Sequence, residues 1–304
     1  MNVLVIGGNG FIGSHLIDLL LLQGHNVRVF DISFERYREP LQNVDYRIST
    51  IDNIPELYES LLGIDILFHL ATSSVPSTSN VDVISDVKKN LISTLNILNM
   101  AVKLGIKRIV YFSSGGAVYG DPLTTPIIEN HPLRPISSYG IVKVTVENYL
   151  YLYQRLYDIQ PLILRPSNPY GPRQGHYIAQ GVISTFLRQI RLNENITVYG
   201  DGNSSKDYIY ITDLISQCCK LSFSNEVGIF NLGSGIGTSL NQILESIRRV
   251  TDLDFKIQYI DKKNYDVDHF VLDTSKATNI LGLEPILSLD EGISETWKWI
   301  KTIV

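Results

Sequence analysis

Short apolar runs alternate with amphipathic stretches through the first half of the chain. Five of these runs are rich in Ile, Val, Leu or Phe with little polar alternation, which predicts strands that are covered on both faces. The predicted strands lie at residues 3–6, 27–30, 66–69, 109–113 and 162–164, and helical patterns lie between them at 11–23, 84–104 and 138–157. This alternation predicts an α/β fold of the Rossmann type, with a doubly wound parallel sheet.

The pattern loosens beyond Pro166, because a cluster of Pro and Gly residues at 166–172 interrupts any regular element. Helices are then predicted at 179–191, 211–223, 239–250 and 289–302, and strands near 196–199, 229–232 and 255–259. This half of the chain is therefore predicted to form a smaller C-terminal α/β lobe.

The composition narrows the classes of partner and the location. The 304 residues carry a formal net charge of −5, which argues against nucleic acid and membrane surfaces as partners. The neighbouring Cys218 and Cys219 are expected to be reduced and buried on a helix. Because the chain also starts without a basic leader, we expect a cytoplasmic protein. The six histidines show no metal-ligand spacing, so no metal is predicted.

A glycine-rich turn follows directly on the first predicted strand and opens the first predicted helix. Its glycines are Gly7, Gly10 and Gly13. They allow a tight turn, the close approach of a pyrophosphate and close packing of helix on sheet. Asp31 follows the second strand, where a carboxylate can accept hydrogen bonds from a ribose diol and would repel a 2′-phosphate. The pattern predicts NAD rather than NADP, with Arg36 and Arg38 as the nearby cations that keep NADP open.

Tyr139 and Lys143 stand four residues apart at the start of a predicted helix, so both side chains lie on one face. A free phenol titrates near ~10 and is a poor base at neutral pH. A neighbouring ammonium is expected to stabilise the phenolate and lower its pKa. Tyr139 could then take a proton from a substrate hydroxyl. Such pairs also occur by chance on helix surfaces, so the spacing alone leaves a surface pair as the alternative.

The chain resembles the extended short-chain dehydrogenase/reductase family, and within it the nucleotide-sugar 4-epimerases such as the UDP-glucose 4-epimerases. The resemblance covers nearly the whole chain. It rests on GGNGFIGSHL at 7–16, FHLA at 68–71, NLISTLNIL from Asn90, YFSSGGAVYGD at 111–121, SYGIVK at 138–143, LRPSNPYGPRQ at 164–174, VYGDGNSSKDYIYITDL at 198–214, FNLGSG at 230–235 and LDTSKATNILG at 272–282. The order of these motifs makes the resemblance specific.

The resemblance implies bound NAD as the cofactor and a nucleotide sugar as the substrate. The implied cofactor-binding residues are Gly7, Gly10, Phe11, Ile12, Gly13, Asp31, Thr50, Ile51, Leu70, Ala71, Asn90, Ser113, Tyr139, Lys143 and Pro166. The implied substrate-binding residues are Ser114, Tyr139, Asn168, Val182 with Ile183 beside it, Tyr199, Lys206, Lys263 and Phe270. By the same resemblance, the NAD-binding Rossmann domain spans 1–168 plus about 206–234, and the nucleotide-sugar lobe spans about 169–205 and 235–304.

The chain departs from the family pattern at positions that bear on catalysis and phosphate binding. Most relatives have Ser or Thr where this chain has Gly115, so Ser114 is the candidate for the third catalytic residue beside Tyr139 and Lys143; its alternative role is to cap the backbone at a strand end. Two arginines that relatives use on the diphosphate appear here as lysines, at 206 and at 262 or 263. Lysine keeps the charge but loses the two-pronged geometry.

Three further side chains have competing interpretations. Phe270 aligns with the residue that gates the sugar pocket, where a large side chain disfavours an N-acetyl group, and it could equally be a core phenylalanine. Glu129 and His131 could be mistaken for catalytic groups. They lie in a Pro-rich loop and are expected to be solvated.

The resulting hypothesis is NAD-dependent C4 epimerisation of a UDP-hexose, either UDP-glucose/UDP-galactose or the N-acetyl forms, through a transient 4-keto sugar. One alternative is an NAD(P)H-dependent reductase of a nucleotide-4-keto-6-deoxyhexose, and another is a non-catalytic cofactor-binding protein. A 4,6-dehydratase is disfavoured, because that class has an Asp–Glu pair where this chain has Gly116 and Ala117. The helices at 84–104 and 138–157 resemble the pair that forms a homodimer interface in relatives.

Overall fold

Seven strands form the main sheet of the computed structural model, in the order β10-β6-β5-β4-β1-β2-β3. These strands are β1 (Asn2–Ile6), β2 (Asn26–Asp31), β3 (Val44–Ile48), β4 (Ile66–His69), β5 (Arg108–Phe112), β6 (Gln160–Pro166) and β10 (Gly228–Leu232). The neighbouring pairs from β3 to β6 are all parallel. Strand order reverses beside β1, where the sheets of doubly wound folds bind ligands at the carboxyl ends of their strands.

The structure describes residues 1–175, 181–261, 269–282 and 287–304. The chain divides into two compact units. The first unit comprises Met1–Gly120, Pro132–Arg165 and Ile215–Phe230, and the second comprises Asp121–His131, Pro166–Leu214 and Asn231–Val304. The segment Asp121–His131 groups with the second unit because Ile127 forms a parallel bridge with Leu272. It lies inside the range 1–168 that the sequence places in the cofactor domain.

Helices of the first unit cover the main sheet. They are α1 (Phe11–Leu22), α2 (Ile54–Leu61), α3 (Val83–Asp86), a π-helical segment (Val87–Ile92), α4 (Ser93–Lys103), α5 (Gly115–Val118), α6 (Ser138–Tyr157) and most of α8 (Ile211–Ser222). Strands β1, β4 and β5 are buried almost throughout, which matches their continuous apolar sequences. Gly140 lets α6 approach α5, since a Cβ there would lie 2.3 Å from the carbonyl oxygen of Ala117.

The second unit contains two small sheets. A four-stranded sheet consists of β7 (Asn168–Tyr170), β9 (Ser205–Tyr210), β11 (Gly237–Ser239) and β13 (His269–Phe270), and β8 (Ile196–Tyr199) pairs with β12 (Ile257–Ile260). Its helices are α7 (Val182–Arg191), α9 (Leu240–Thr251), α10 (Ser275–Leu281) and α11 (Leu289–Ile303). Capping boxes begin α9 and α11: Ser239 with Gln242, and Ser288 with Glu291.

The structure confirms the predicted α/β Rossmann-type sheet and all five strands of the first half, and it adds elements that the sequence pattern did not predict. β3 is an edge strand with a mostly polar, half-buried sequence, and β9 is similarly polar. The helical pattern at 84–104 is interrupted by the π-helical segment, which contains Asn90. Single π-turns inside helices often occur at functional sites.

The described residues also bear on the cysteines, on membrane-spanning helices and on metal-binding clusters. Cys218 and Cys219 are buried free thiols on α8, as predicted. Within the described ranges, none of the helices has the length and apolar character that crossing a bilayer requires. In that same part of the chain, no cluster of three His, Cys, Asp or Glu side chains could hold a metal ion.

Candidate active site

The glycine-rich turn between β1 and α1 packs too closely for side chains at two positions. Gly7 has φ +83°, and a Cβ there would lie 2.6 Å from the backbone nitrogen of Ala71. A Cβ on Gly13 would lie 2.5 Å from the carbonyl oxygen of Gly7. Gly10 is the N-cap of α1 and offers no capping side chain. The N–H groups of Phe11 and Ile12 at the helix start are therefore available to an anion such as a pyrophosphate.

Asp31, at the end of β2, is held against the glycine-rich turn. Its Oδ2 accepts a hydrogen bond from the Asn9 backbone nitrogen at 2.9 Å, and its Oδ1 accepts one from the Ile32 nitrogen at 2.7 Å. Burial raises the pKa of Asp31, and these backbone hydrogen bonds oppose that rise. The buried Oδ1 of Asn9 has no hydrogen-bond partner among the described residues. A carboxylate beside an unpaired acceptor suits a ligand that brings hydroxyl donors, such as a ribose.

Arg38 is one of the two nearby cations that leave NADP open as an alternative cofactor. In the structure, Arg38 is paired with carboxylates of its own unit. Its guanidinium pairs with the carboxylate of Asp18 and, at 2.8 Å, with Glu35. The Glu35 side chain is fully buried in this cluster. Arg38 is therefore already paired with two carboxylates.

We therefore expect the protein to bind NADH more tightly than NADPH, by about tenfold or more, because Asp31 repels a 2′-phosphate. Quenching of protein fluorescence, titrated with each reduced cofactor, measures the two dissociation constants. Glu35→Gln provides a comparison, since it leaves Arg38 with a single carboxylate partner and is expected to narrow the difference. Equal affinities in the unsubstituted protein would contradict the role given to Asp31.

The remaining predicted cofactor residues of the first unit lie at strand ends. Thr50 and Ile51 follow β3; Thr50 is exposed, and Ile51 is half-buried against the core. Leu70 and Ala71 follow β4, and both backbone nitrogens donate to the Ile6 carbonyl, at 2.9 and 3.0 Å. These positions share the carboxyl edge of the sheet with the glycine-rich turn.

Asn90 lies in the π-helical segment and is anchored on both sides. Its Oδ1 accepts from the Ser73 nitrogen at 2.8 Å, and its Nδ2 donates to Asp86 at 2.7 Å and Ser73 Oγ at 3.0 Å. The Asn90 carbonyl accepts from Thr94 Oγ1 at 2.5 Å. The side chain thus fixes the loop that follows β4.

Tyr139 and Lys143 share one pocket in the first unit, as the four-residue spacing predicts. The pocket is lined by Ala71, Thr72, Asp86, Asn90, Thr94, Tyr111, Tyr139, Val142 and Lys143. Lys143 Nζ lies 5.5 Å from the centre of the Tyr139 ring and donates to the Phe112 carbonyl at 2.6 Å. Ser114 hydrogen-bonds the Tyr139 side chain, and it makes no side-chain cap at the start of α5. Among the described residues, the Ser114 side chain therefore contacts Tyr139 and not the start of α5.

The electrostatics of this pair differ from the prediction. Burial raises the pKa of Tyr139 to about 12, the Ser114 hydrogen bond opposes this rise, and the charge of Asp86 adds to it. Burial lowers the pKa of Lys143 to about 8, and Glu147 and Asp86 oppose that fall. The predicted lowering of the phenol pKa by the neighbouring ammonium is therefore wrong, because desolvation of the buried phenol is the largest effect on it.

A buried ion pair supports this helix face from behind. Arg165 is 1% exposed and donates two hydrogen bonds to the Glu147 carboxylate, at 3.0 and 2.5 Å, and one to the Tyr119 hydroxyl at 2.8 Å. The predicted cofactor residue Ser113 donates its hydroxyl hydrogen to Glu147. Its side chain therefore belongs to this network. Glu147 continues the spacing from Tyr139 and Lys143, a signal that the sequence contained.

The predicted substrate residues of the second unit occupy different environments. Asn168 Nδ2 donates to the Asp207 carbonyl at 2.8 Å, and Lys206 lies between Thr238 and Phe270 in the small sheet. Phe270 is 3% exposed, like a core residue. Val182 begins α7 half-buried, Ile183 is fully buried, and Tyr199 is 40% exposed. Pro166, a predicted cofactor residue, ends β6 and is buried. Lys263, with Lys262, lies outside the described residues.

Glu129 and His131 are not the solvated loop residues that the sequence suggested. His131 is buried, and its Nε2 accepts from the Leu123 nitrogen at 2.9 Å. Glu129 accepts from the Asn231 nitrogen at 3.0 Å. Both side chains accept from backbone donors within the second unit, His131 in a buried position and Glu129 in a half-buried one.

Comparisons with known proteins identify the family. The sequence model described as "NAD dependent epimerase/dehydratase family" matches residues 3–233. The chain belongs to this family. Its resemblance to the nucleotide-sugar epimerases and its NAD dependence are thereby confirmed. The chain is an enzyme of this class.

Individual relatives match almost end to end. The chain is 35% identical to a putative UDP-glucose 4-epimerase of Methanocaldococcus jannaschii over 98% of each sequence. It is 33% identical to a dTDP-4-dehydro-6-deoxyglucose reductase of Escherichia coli, over 98% of this chain and 97% of the relative. A Thermotoga maritima UDP-glucose 4-epimerase structure with UDP-glucose superposes with a TM-score of 0.93 and 34% identity, covering 99% of both chains.

Proposed function

We propose that this protein is an NAD-dependent 4-epimerase of a UDP-hexose. The observation that carries the proposal is the pocket that Tyr139 and Lys143 line together. The Tyr139 side chain is also hydrogen-bonded to Ser114. The full-length similarity to UDP-glucose 4-epimerases supports the substrate class. The glycine-rich turn, the open start of α1 and Asp31 fit the dinucleotide.

The residues of the chain divide the chemistry among them. Tyr139 takes the proton of the sugar 4-hydroxyl and later returns it to the 4-oxygen, so that no net proton is consumed. Ser114 donates to the phenol oxygen and stabilises its anionic form. Lys143 adds positive charge beside the Tyr139 ring, held in place by the Phe112 carbonyl. Bound NAD supplies the acceptor for the C4 hydride and the donor that returns it. Asp31 and the glycine-rich turn bind its adenosine and pyrophosphate.

The direct test is turnover without added cofactor. Purified protein, incubated separately with UDP-glucose and with UDP-N-acetylglucosamine, is expected to form the C4 epimer of one of them, followed by proton NMR of the anomeric signals. No epimer from either sugar, with NAD added, would contradict the proposal.

The similarity to the E. coli reductase favours a second candidate, an NAD(P)H-dependent reductase of a nucleotide-4-keto-6-deoxyhexose. A reductase consumes one reduced cofactor in each turnover, whereas an epimerase regenerates its cofactor. The protein is incubated with NADH or NADPH and a dTDP-4-keto-6-deoxyhexose. A fall in the absorbance of the reduced cofactor at 340 nm, together with no epimerisation of UDP-hexoses, would favour the reductase.

We further propose that the enzyme is a cytoplasmic homodimer. Apolar side chains are exposed along α6 and the neighbouring helical segment. These side chains are between 42% and 65% exposed, and they are Ile84, Ile92, Ile141, Tyr151, Leu152 and Leu156. Such an apolar surface is typical of an interface between subunits. Size-exclusion chromatography with light scattering measures the mass against the 34.2 kDa of one chain, and a monomer would contradict this assignment.

A further inference from the structure

Asp86 is a buried carboxylate without an ion-pair partner among the described residues. It is 4% exposed and ends α3. Three neutral groups donate to it: Ser74 Oγ at 2.5 Å, Asn90 Nδ2 at 2.7 Å and Ser138 Oγ at 2.6 Å. Burying a charge that no cation neutralises costs free energy. Carboxylates that persist in such surroundings are concentrated at functional sites.

The contacts of Asp86 converge on the residue next to the acid/base. Ser138 directly precedes Tyr139 at the start of α6. Its hydroxyl donates to Asp86, and its backbone nitrogen donates to Asn80 Oδ1 at 2.8 Å. Ser138 is thus fixed through both its side chain and its main chain by the segment that follows β4. Both contacts hold the first turn of the helix that carries Tyr139.

Asp86 also lines the pocket that contains Tyr139 and Lys143. Its charge raises the pKa of Tyr139 and raises the pKa of Lys143. It therefore favours the protonated form of both groups. The other titratable groups that face this pair are Tyr111 and His69 from the strands and Glu147 from α6.

We propose that Asp86 is a positioning residue for the epimerisation chemistry, fixing Tyr139 through Ser138 and placing a negative charge beside both Tyr139 and Lys143. The inference rests on the proposed function of this pocket. Asp86 is assigned no proton transfer; its oxygens accept hydrogen bonds from the hydroxyls of Ser74 and Ser138 and the amide of Asn90. It acts through the geometry and the charge of the catalytic pair.

Asp86→Asn keeps the size of the side chain and removes the charge. We expect kcat to fall by about 10- to 100-fold, because a small misplacement of a catalytic group is costly, with KM for the UDP-hexose changed much less. Without the negative charge, the phenol and the ammonium both lose their protons more easily. Both limbs of the pH–rate profile are therefore expected to move to lower pH, by about half a unit or more.

Ser138→Ala is the matched variant, because it removes the hydroxyl that Asp86 holds and keeps the charge. It is expected to lower kcat while the limbs of the profile stay in place. An unchanged kcat in Ser138→Ala would overturn the positioning role, even if Asp86→Asn failed to fold. Unmoved limbs in folded Asp86→Asn, verified by NADH binding, would overturn the role of the charge. Absence of turnover in the unsubstituted enzyme would instead refute the proposed function.

Discussion

Replacing Tyr139 by phenylalanine is expected to lower kcat by about 10²–10⁴-fold, the range that a positioned acid/base contributes. The change removes only the hydroxyl that Ser114 contacts. The ring remains beside Lys143, whose Nζ lies 5.5 Å from its centre. KM for the UDP-hexose should change little, because the missing hydroxyl acts on the proton transfer in the transition state and not on substrate binding. Initial rates of epimer formation, measured at saturating substrate, give the result.

Tyr153→Phe is the control for this prediction, because it makes the same chemical change on the same helix. The Tyr153 hydroxyl donates to Asn99 Oδ1 at 2.6 Å, away from the pocket. This variant is expected to retain turnover close to that of the unsubstituted enzyme. If Tyr139→Phe also retained it, another group would have to move the proton and the assignment of Tyr139 would be wrong.

The fold was predictable where the burial of an element determines its local pattern of apolar residues. Strands β1, β4 and β5 are buried on both faces and therefore appear as uninterrupted apolar runs. The edge strand β3 contains Asp45 and Arg47, which pair with each other at 2.9 Å, so its sequence resembles a loop. Its place at the edge depends on pairing with β2, a contact that no local pattern reveals.

The candidate site was predictable in part for the same reason. Tyr139 and Lys143 are four residues apart, so helix geometry alone places them together. Asp86 meets Ser138 across 52 positions of sequence, and only the folded sheet brings their elements together. The raised pKa of Tyr139 could not be predicted either, because its main cause is desolvation by the surrounding chain, which depends on the whole fold.

Replacing Arg165 by methionine is expected to lower the free energy of unfolding by about 3–5 kcal/mol, the usual cost of breaking a buried ion pair from one side. The change leaves the Glu147 carboxylate 4% exposed and without its cation, and removes the donor to the Tyr119 hydroxyl. Urea unfolding, followed by fluorescence, measures the shift of the midpoint at constant slope.

Two further variants separate the charge from the packing. Glu147→Gln combined with Arg165→Met leaves no unpaired carboxylate and should recover much of the loss, because a buried pair contributes little beyond mutual neutralisation. Lys298→Met breaks an exposed pair with Glu295 and should leave the midpoint unchanged. The double variant also removes the negative charge of Glu147, which raises the pKa of Lys143. Lys143 should then lose its proton at a lower pH, so the variant should lose activity at alkaline pH even where it regains stability. A double variant as unstable as Arg165→Met would show that the guanidinium stabilises the fold by its shape, not by neutralising Glu147.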